Sequence, residues 1–186
     1  MPKIRSARSE DASEIARIYI AAWQDTYPGV LPFNLLRIMT QQGQTLRWQK
    51  LIAVRPPESV LVAELQDKIV GFISFGPSGD TALGYDCEIS ALYVDPLLYG
   101  VGVGRQLLKG AFTAMAVFGM GSALIWVNAL IQSRFFCEAM GAKPVAERAT
   151  LLMGEPVFEN AYGWQALDAS RRRAPVNVRD TDPPGE

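Results

Sequence analysis

The chain predicts a mixed α/β domain, one sheet with helices on both sides, and three observations carry that expectation. Short runs rich in Val, Ile and Phe are interspersed with stretches whose apolar residues recur at helical spacing. The predicted order is strand, helices, three strands, helix, strand, helix, two strands, without an internal repeat. At 186 residues, 49% of them hydrophobic and 20% charged, the chain suits one domain that buries a core of its own without metals or disulfides.

KIRSAR alternates as a short strand does, and Ser9, Glu10 and Asp11 mark a helix start with acidic residues in its first turn. Ile15, Ile18, Tyr19 and Ala22 then form one apolar stripe along residues 10–23, ending near Trp23. Pro28, Gly29 and Pro32 break the chain. Residues 33–53 read as one or two helices interrupted around Gly43, and Pro56 and Pro57 close the region. Residues 59–66 and 69–76 pair as a hairpin about Asp67-Lys68.

A third strand, residues 87–94, stops at Asp95-Pro96. Beyond a glycine loop, Leu107, Leu108, Ala111, Phe112 and Met115 define a helix over 104–118. Residues 123–127 form a strand and 133–140 a short helix capped by Gly141, and 144–152 with 156–164 make a last hairpin around Gly154-Glu155. The domain is therefore expected to span residues 1–168. Residues 169–186, which include Arg171, Arg172 and Arg173, lack a core-forming pattern and are expected to be a mobile tail.

Composition removes several function classes. A net charge of −1 offers no excess of cations to a nucleic-acid backbone. The N-terminus lacks the apolar core of a signal peptide and no stretch suits a bilayer crossing, so a cytoplasmic protein without a membrane partner is expected. Cys87 and Cys137 are too few for a disulfide scaffold, and without histidine a metal site is not expected. The absence of histidine also rules out Ser-His-Asp and Cys-His catalysis, leaving carboxylate, thiol, phenol or water to move protons.

The most informative segment is the glycine loop Tyr99-Gly100-Val101-Gly102-Val103-Gly104-Arg105, between a strand and a helix. Missing β-carbons let backbone N–H groups converge on an anion at a helix N-terminus, the outline of a diphosphate cradle. A plain strand-to-helix connection is the competing reading. The loop follows a hairpin and a third strand, unlike a Rossmann fingerprint, and Arg105-Gln106 stand where a P-loop needs lysine and a hydroxyl.

The segment EISALYVDPLLYGVGVGRQLL resembles motif A of the GNAT acyltransferase superfamily, in which a strand leads into R/Q-x-x-G-x-G/A and a helix. AAWQDTYPGVLP is similar to the first-helix region of a bacterial small-molecule and peptide branch, SRFFCEAMGAKPV to its motif B, and AYGW to its closing strand, so residues 3–165 are covered. The resemblance implies the GNAT fold, an α/β fold with a mixed, mostly antiparallel central sheet of about six to seven strands flanked by helices. It also implies an N-acetyltransferase that moves an acetyl group from acetyl-CoA directly to a primary amine of a small molecule or peptide.

By the same resemblance, Leu92, Tyr93 and Val94 offer backbone groups to the pantetheine arm. Tyr99, Gly100, Val101, Gly102, Val103, Gly104 and Arg105 bind pyrophosphate, and Ser133 and Phe136 also touch the cofactor. Glu88 matches a glutamate that acts as base directly or through water, with neighbouring Asp86 as its rival; a strand carboxylate is otherwise most often solvent-facing. Trp23, Tyr27, Phe33 and Trp48 fall in the segments bordering the acceptor groove, with Trp23 and Tyr27 taken as substrate-binding, although aromatics at helical spacing also serve as core. Similar proteins pair through an exposed strand, which leaves a homodimer open.

Three positions depart from the family pattern: Tyr99 replaces arginine or glutamine, Ile131 replaces an asparagine that touches CoA, and Cys137 replaces the tyrosine that serves as acid. A thiol titrates near 8.5 against about 10 for a phenol, so Cys137 is a candidate acid, while a small buried hydrophobe is the commoner fate of a free cysteine. These departures keep a second reading open, a GNAT-fold protein that binds CoA or senses a metabolite and transfers acyl groups poorly.

Overall fold

The computed structural model describes residues 1–32, 37, 39–54, 56, 58–152 and 154–167. Phe33 and the expected tail at 169–186 lie outside the described residues. Seven strands form one sheet: β1 (Lys3–Ser6), β2 (Ser59–Leu65), β3 (Lys68–Pro77), β4 (Cys87–Val94), β5 (Ala123–Asn128), β6 (Lys143–Leu152) and β7 (Glu155–Trp164). Their order is β1-β2-β3-β4-β5-β7-β6. Every pairing is antiparallel except β4 with β5.

Four α-helices are described: α1 (Ala12–Thr26), α2 (Gln41–Ile52), α3 (Val103–Val117) and α4 (Ser133–Ala139). The two sheet faces carry separate cores. Leu107, Leu108, Ala111 and Met115 of α3 pack with Ile73, Ile89 and Val127 on one face. Ile15, Ile18 and Trp23 of α1 and Trp48 of α2 pack with Val62, Phe72 and Ala91 on the other. Apolar stripes on helices and alternation on strands thus divide the chain into three layers.

Several boundaries move from their sequence-based positions, each for a local reason. The β2–β3 turn is Gln66-Asp67 rather than Asp67-Lys68, because Leu65 pairs with Lys68. Both turn residues have positive φ (51° and 60°), as a two-residue hairpin of primed type requires. Ser9–Asp11 form a 3-10 turn before α1, and Asp11 is buried under Arg5, its carboxylate also accepting from the Arg8 N–H at 2.7 Å. That helix runs on to Thr26 and is closed by the Tyr27 N–H bonding Trp23 O. Gly43 does not interrupt a helix but lies in the first turn of α2, where Thr40 accepts from its N–H at 3.1 Å.

Two irregularities in β4 shape the site. Its pairing with β5 covers only Cys87–Ile89 against Ala123–Ile125, after which the two strands part. Opposite β3, the register slips between Ser74 and Phe75, so that Ser90 is an extra residue on β4, a bulge. Cys87 and Ile89 therefore face α3 before the bulge and Leu92 and Val94 after it, while Ala91 and Tyr93 face α1. Glu88, out of phase with Cys87 and Ile89, shares the α1 face.

Candidate functional site

Where β4 and β5 diverge, a cavity of about 510 Å³ opens through the sheet. Its closed end is stapled by Asp86. One carboxylate oxygen accepts from the Gly121 N–H (2.8 Å), the Ser122 N–H (3.0 Å) and the Ser122 hydroxyl (3.0 Å), and the Asp86 N–H donates to Ser122 Oγ. These bonds, the Gly121 N–H foremost, hold the Asp86 carboxyl below its ordinary value. Asp86 is thus committed to joining the starts of β4 and β5.

The open end meets the glycine loop. Gly100 and Gly102 have φ of 78° and 90°, and Gly102 caps α3 in a left-handed conformation that a β-carbon would strain. The first N–H groups of α3, which no intrahelical acceptor can satisfy, thus belong to residues that line the cavity. A β-carbon on Gly104 would meet the Phe136 ring at 3.3 Å, so the loop lies close against α4. Leu92, Tyr93, Val94, Tyr99, Gly100, Gly102, Val103, Gly104 and Arg105 all line the cavity, as do Ser133, Phe136 and Cys137. Val101, 65% exposed, does not line it.

Tyr99 lines the cavity together with Thr26 at the end of α1, and partial burial raises its pKa. Cys137 sits in the α3-side core at 2% exposure, and burial pushes its thiol up to about 12. Cys87 is likewise buried, its Sγ 2.8 Å from Gly76 O. Among the described residues neither thiol has an activating base beside it. Ile131, in the position of the usual asparagine, also lines the cavity.

On the α1 face, Trp23 Nε1 donates to the Tyr93 phenol at 3.0 Å, and Tyr93 in turn hydrogen-bonds Tyr27. Tyr27 lines the cavity and is pushed up to about 12, chiefly by burial; Trp23 does not line it but fixes Tyr93 from behind. Trp48 is core, edge-on to Phe72 with ring centres 4.7 Å apart. Glu88 also lies outside the cavity lining. It is half-buried, and its carboxylate accepts no hydrogen bond among the described residues. Burial raises its pKa, with Arg148 opposing and Glu159 and Asp80 adding to the shift.

Sequence reasoning missed Thr26, Trp126 and Glu159, and noted Asn128 only as an asparagine three residues before Ile131; all four line the cavity, with Arg148, also missed, beside them. Glu159 lies opposite Asn128 on β5 and Arg148 on β6, in one rung across three strands. Arg148 pairs with Glu159 at 2.7 Å and stacks 3.9 Å from the Trp126 ring centre. Their only sequence signal is strand alternation, which many solvent-facing charges share.

A seven-stranded mixed sheet that splits between β4 and β5, with a glycine-rich helix start at the split, is now joined by a direct comparison. The family model of the acetyltransferase (GNAT) family matches residues 14–142. The chain belongs to the GNAT family. It is similar to YuaI of Bacillus subtilis (strain 168), an uncharacterized N-acetyltransferase, with 29% identity over 170 residues, covering 91% of this chain and 96% of that one. Its fold also matches two solved structures. One is YncA from Salmonella typhimurium with its cofactor acetyl-CoA (TM-score 0.66, 21% identity, 90% of this chain and 95% of that one). The other is PaiA N-acetyltransferase from Thermoplasma acidophilum in complex with coenzyme A (TM-score 0.66, 16% identity, 86% and 98%). Among the described residues of this GNAT member no helix is long and apolar enough to cross a membrane.

Proposed function

We propose that this GNAT protein transfers an acetyl group from acetyl-CoA directly to a primary amine of a small molecule or peptide. The observation that carries the reading is one cavity reached from both sheet faces: the glycine loop and the free edge of β4 serve it from one side, and Tyr27 and Glu159 from the other. Glu88 stands beyond its wall on the second side. The residues fit the cofactor. Left-handed Gly100 and Gly102 leave open space where β-carbons would stand, and β4 beyond Ile89 has no strand partner on its β5 side.

When bound, acetyl-CoA supplies an activated thioester carbonyl. The N–H groups at the start of α3 hold its diphosphate, with Arg105 adjacent, so Tyr99 in place of a cation costs affinity without removing the cradle. Backbone groups of Leu92 and Val94 orient the pantetheine arm along β4. Glu88, raised toward working pH and open to water, takes the proton of the acceptor amine directly or through a water molecule. Cys137, with a pKa near 12, holds its proton against an ordinary thiolate of about 8.5, so it lends at most a weak S–H hydrogen bond. The same pKa opposes an acyl-cysteine intermediate and supports direct transfer.

The burial of Cys137 also favours the second reading, a CoA-binding member with weak turnover. Two measurements separate the readings. A rise in melting temperature with acetyl-CoA is expected on both, and no shift at millimolar cofactor removes both. Thiol release from acetyl-CoA across alkylamines, polyamines, amino acids and peptides is expected only for the enzyme. Cofactor binding without release from any acceptor would leave the binder.

A further inference from the structure

Among the described residues three buried side-chain donors lack partners on the α1 side of the sheet; Trp48 Nε1 lies in the core away from the cavity, and the other two line it. Asn128 is 4% exposed; its Oδ1 is fixed by the Leu130 N–H at 2.9 Å, which sets the amide orientation, and its Nδ2 has no acceptor. Trp126, two residues earlier on the same face of β5, has an equally unpartnered Nε1. Both residues line the cavity. A buried donor without a partner is destabilising, and a ligand oxygen would remove that penalty.

The charges around these donors point the same way. Glu159, opposite Asn128, is neutralised by Arg148, and Arg148 covers Trp126. Asp80, another carboxylate that Glu88 senses, accepts the Ala82 N–H at 3.0 Å. Glu88 is then left as the carboxylate without a partner, enough for one ammonium group. A second ammonium, as in a diamine, would meet a guanidinium and two N–H donors. Glu88 pairs with Leu124, four residues before Asn128, which places the two ends of the site about 13 Å apart along the strand before side chains reach inward.

We propose that the acceptor is a primary amine that also carries a carboxylate or carbonyl oxygen, of amino-acid to dipeptide size, with that oxygen bound by Asn128 Nδ2 and Trp126 Nε1. This rests on the acetyl-transfer reading for the fate of the amine, but recognition is measurable without turnover. Acceptor binding to the CoA-saturated protein, by calorimetry and by quenching of tryptophan fluorescence, is compared for free amino acids, their dipeptides, and alkylamines and diamines of matched length.

Oxygen-bearing amines are expected to bind about tenfold more tightly than matched amines without oxygen, a step the size of one hydrogen bond made good. Asn128→Asp keeps the bond to the Leu130 N–H and replaces the donor by an acceptor. It is expected to abolish that preference while acetyl-CoA affinity stays within a factor of about two, and Trp126→Phe to reduce the preference about threefold. The ratio of amino acid to dipeptide binding tells which source is used. Equal or tighter binding of alkylamines or diamines overturns the proposal, as does no binding by either class. An Asn128→Asp variant that loses acetyl-CoA and not acceptor also overturns it, by assigning Nδ2 to the cofactor. Preferential binding without thiol release would leave this inference standing and sink the transfer reading instead.

Discussion

The two faces of the split sheet serve one cavity with different materials. Toward α3, the proposed cofactor cradle is largely backbone: the left-handed Gly100 and Gly102, the first amides of α3 and the unpaired edge of β4. Toward α1, the proposed acceptor pocket is side chain throughout, with Asn128, Glu159, Arg148 and Trp126 drawn from three strands and Tyr27 from beyond the end of α1. A backbone cradle tolerates changes such as Tyr99 for a cation. A side-chain pocket changes specificity with each substitution.

Substitutions on each face should therefore separate catalysis from cofactor affinity, beginning with the largest effect. Glu88→Gln is expected to lower kcat by about 100-fold or more with acetyl-CoA affinity unchanged. The pH profile of wild-type kcat/KM should rise along a limb above the ordinary carboxylate range, and that limb should vanish in the variant. Stability should respond in the opposite sense. A carboxyl whose folded pKa is raised contributes stability that is complete below its unfolded value and is lost as pH rises through the folded one. Glu88→Gln should thus raise the melting temperature at neutral pH and leave it unchanged near pH 4.

Gly102→Val should weaken acetyl-CoA binding about 10- to 100-fold by calorimetry, the effect of forcing a β-branched residue to a φ of 90°, with little change in the pH limb. If Gly102→Val and Glu88→Gln alter the same parameter, the division between the faces fails. Asp86→Ala removes the staple at the closed end and should cost about 1–2 kcal/mol in urea unfolding. The folded pKa of Asp86 is depressed, so its contribution is present above the unfolded value and fades as acid lowers the pH through the folded one. The smallest effect should be that of Cys137→Ala, a change in kcat of less than about threefold; a loss near 100-fold would make the thiol the acid after all.

The same contrast explains what could be read in the residues. The proposed cradle could be read from one short segment, because Gly100, Gly102 and Gly104 alternate with valines immediately before and into a helix. Strand and helix types were legible too, since Leu107 to Met115 repeat at helical spacing and residues 59–66 and 69–76 are rich in Val, Ile and Phe. Boundaries moved where tertiary contacts decide: Asp11 is held by Arg5, and the hairpin accepts Gln66 with positive φ although glutamine has no preference for it. The acceptor pocket was hidden because Asn128, Glu159 and Arg148 are up to 31 residues apart and come together only through the register of three strands.

The bulge at Ser90 acts on β4 as a single inserted base acts on a reading frame. Everything before it is read with odd positions toward α3, everything after it with even ones. A relative that lacks the inserted residue would keep its equivalent of Glu88 toward α1, whereas one that keeps the residue and straightens the bulge would turn that carboxylate to the cofactor side. Counting along β4 from the glycine loop therefore gives the side on which the carboxylate stands only when the bulge is counted with it.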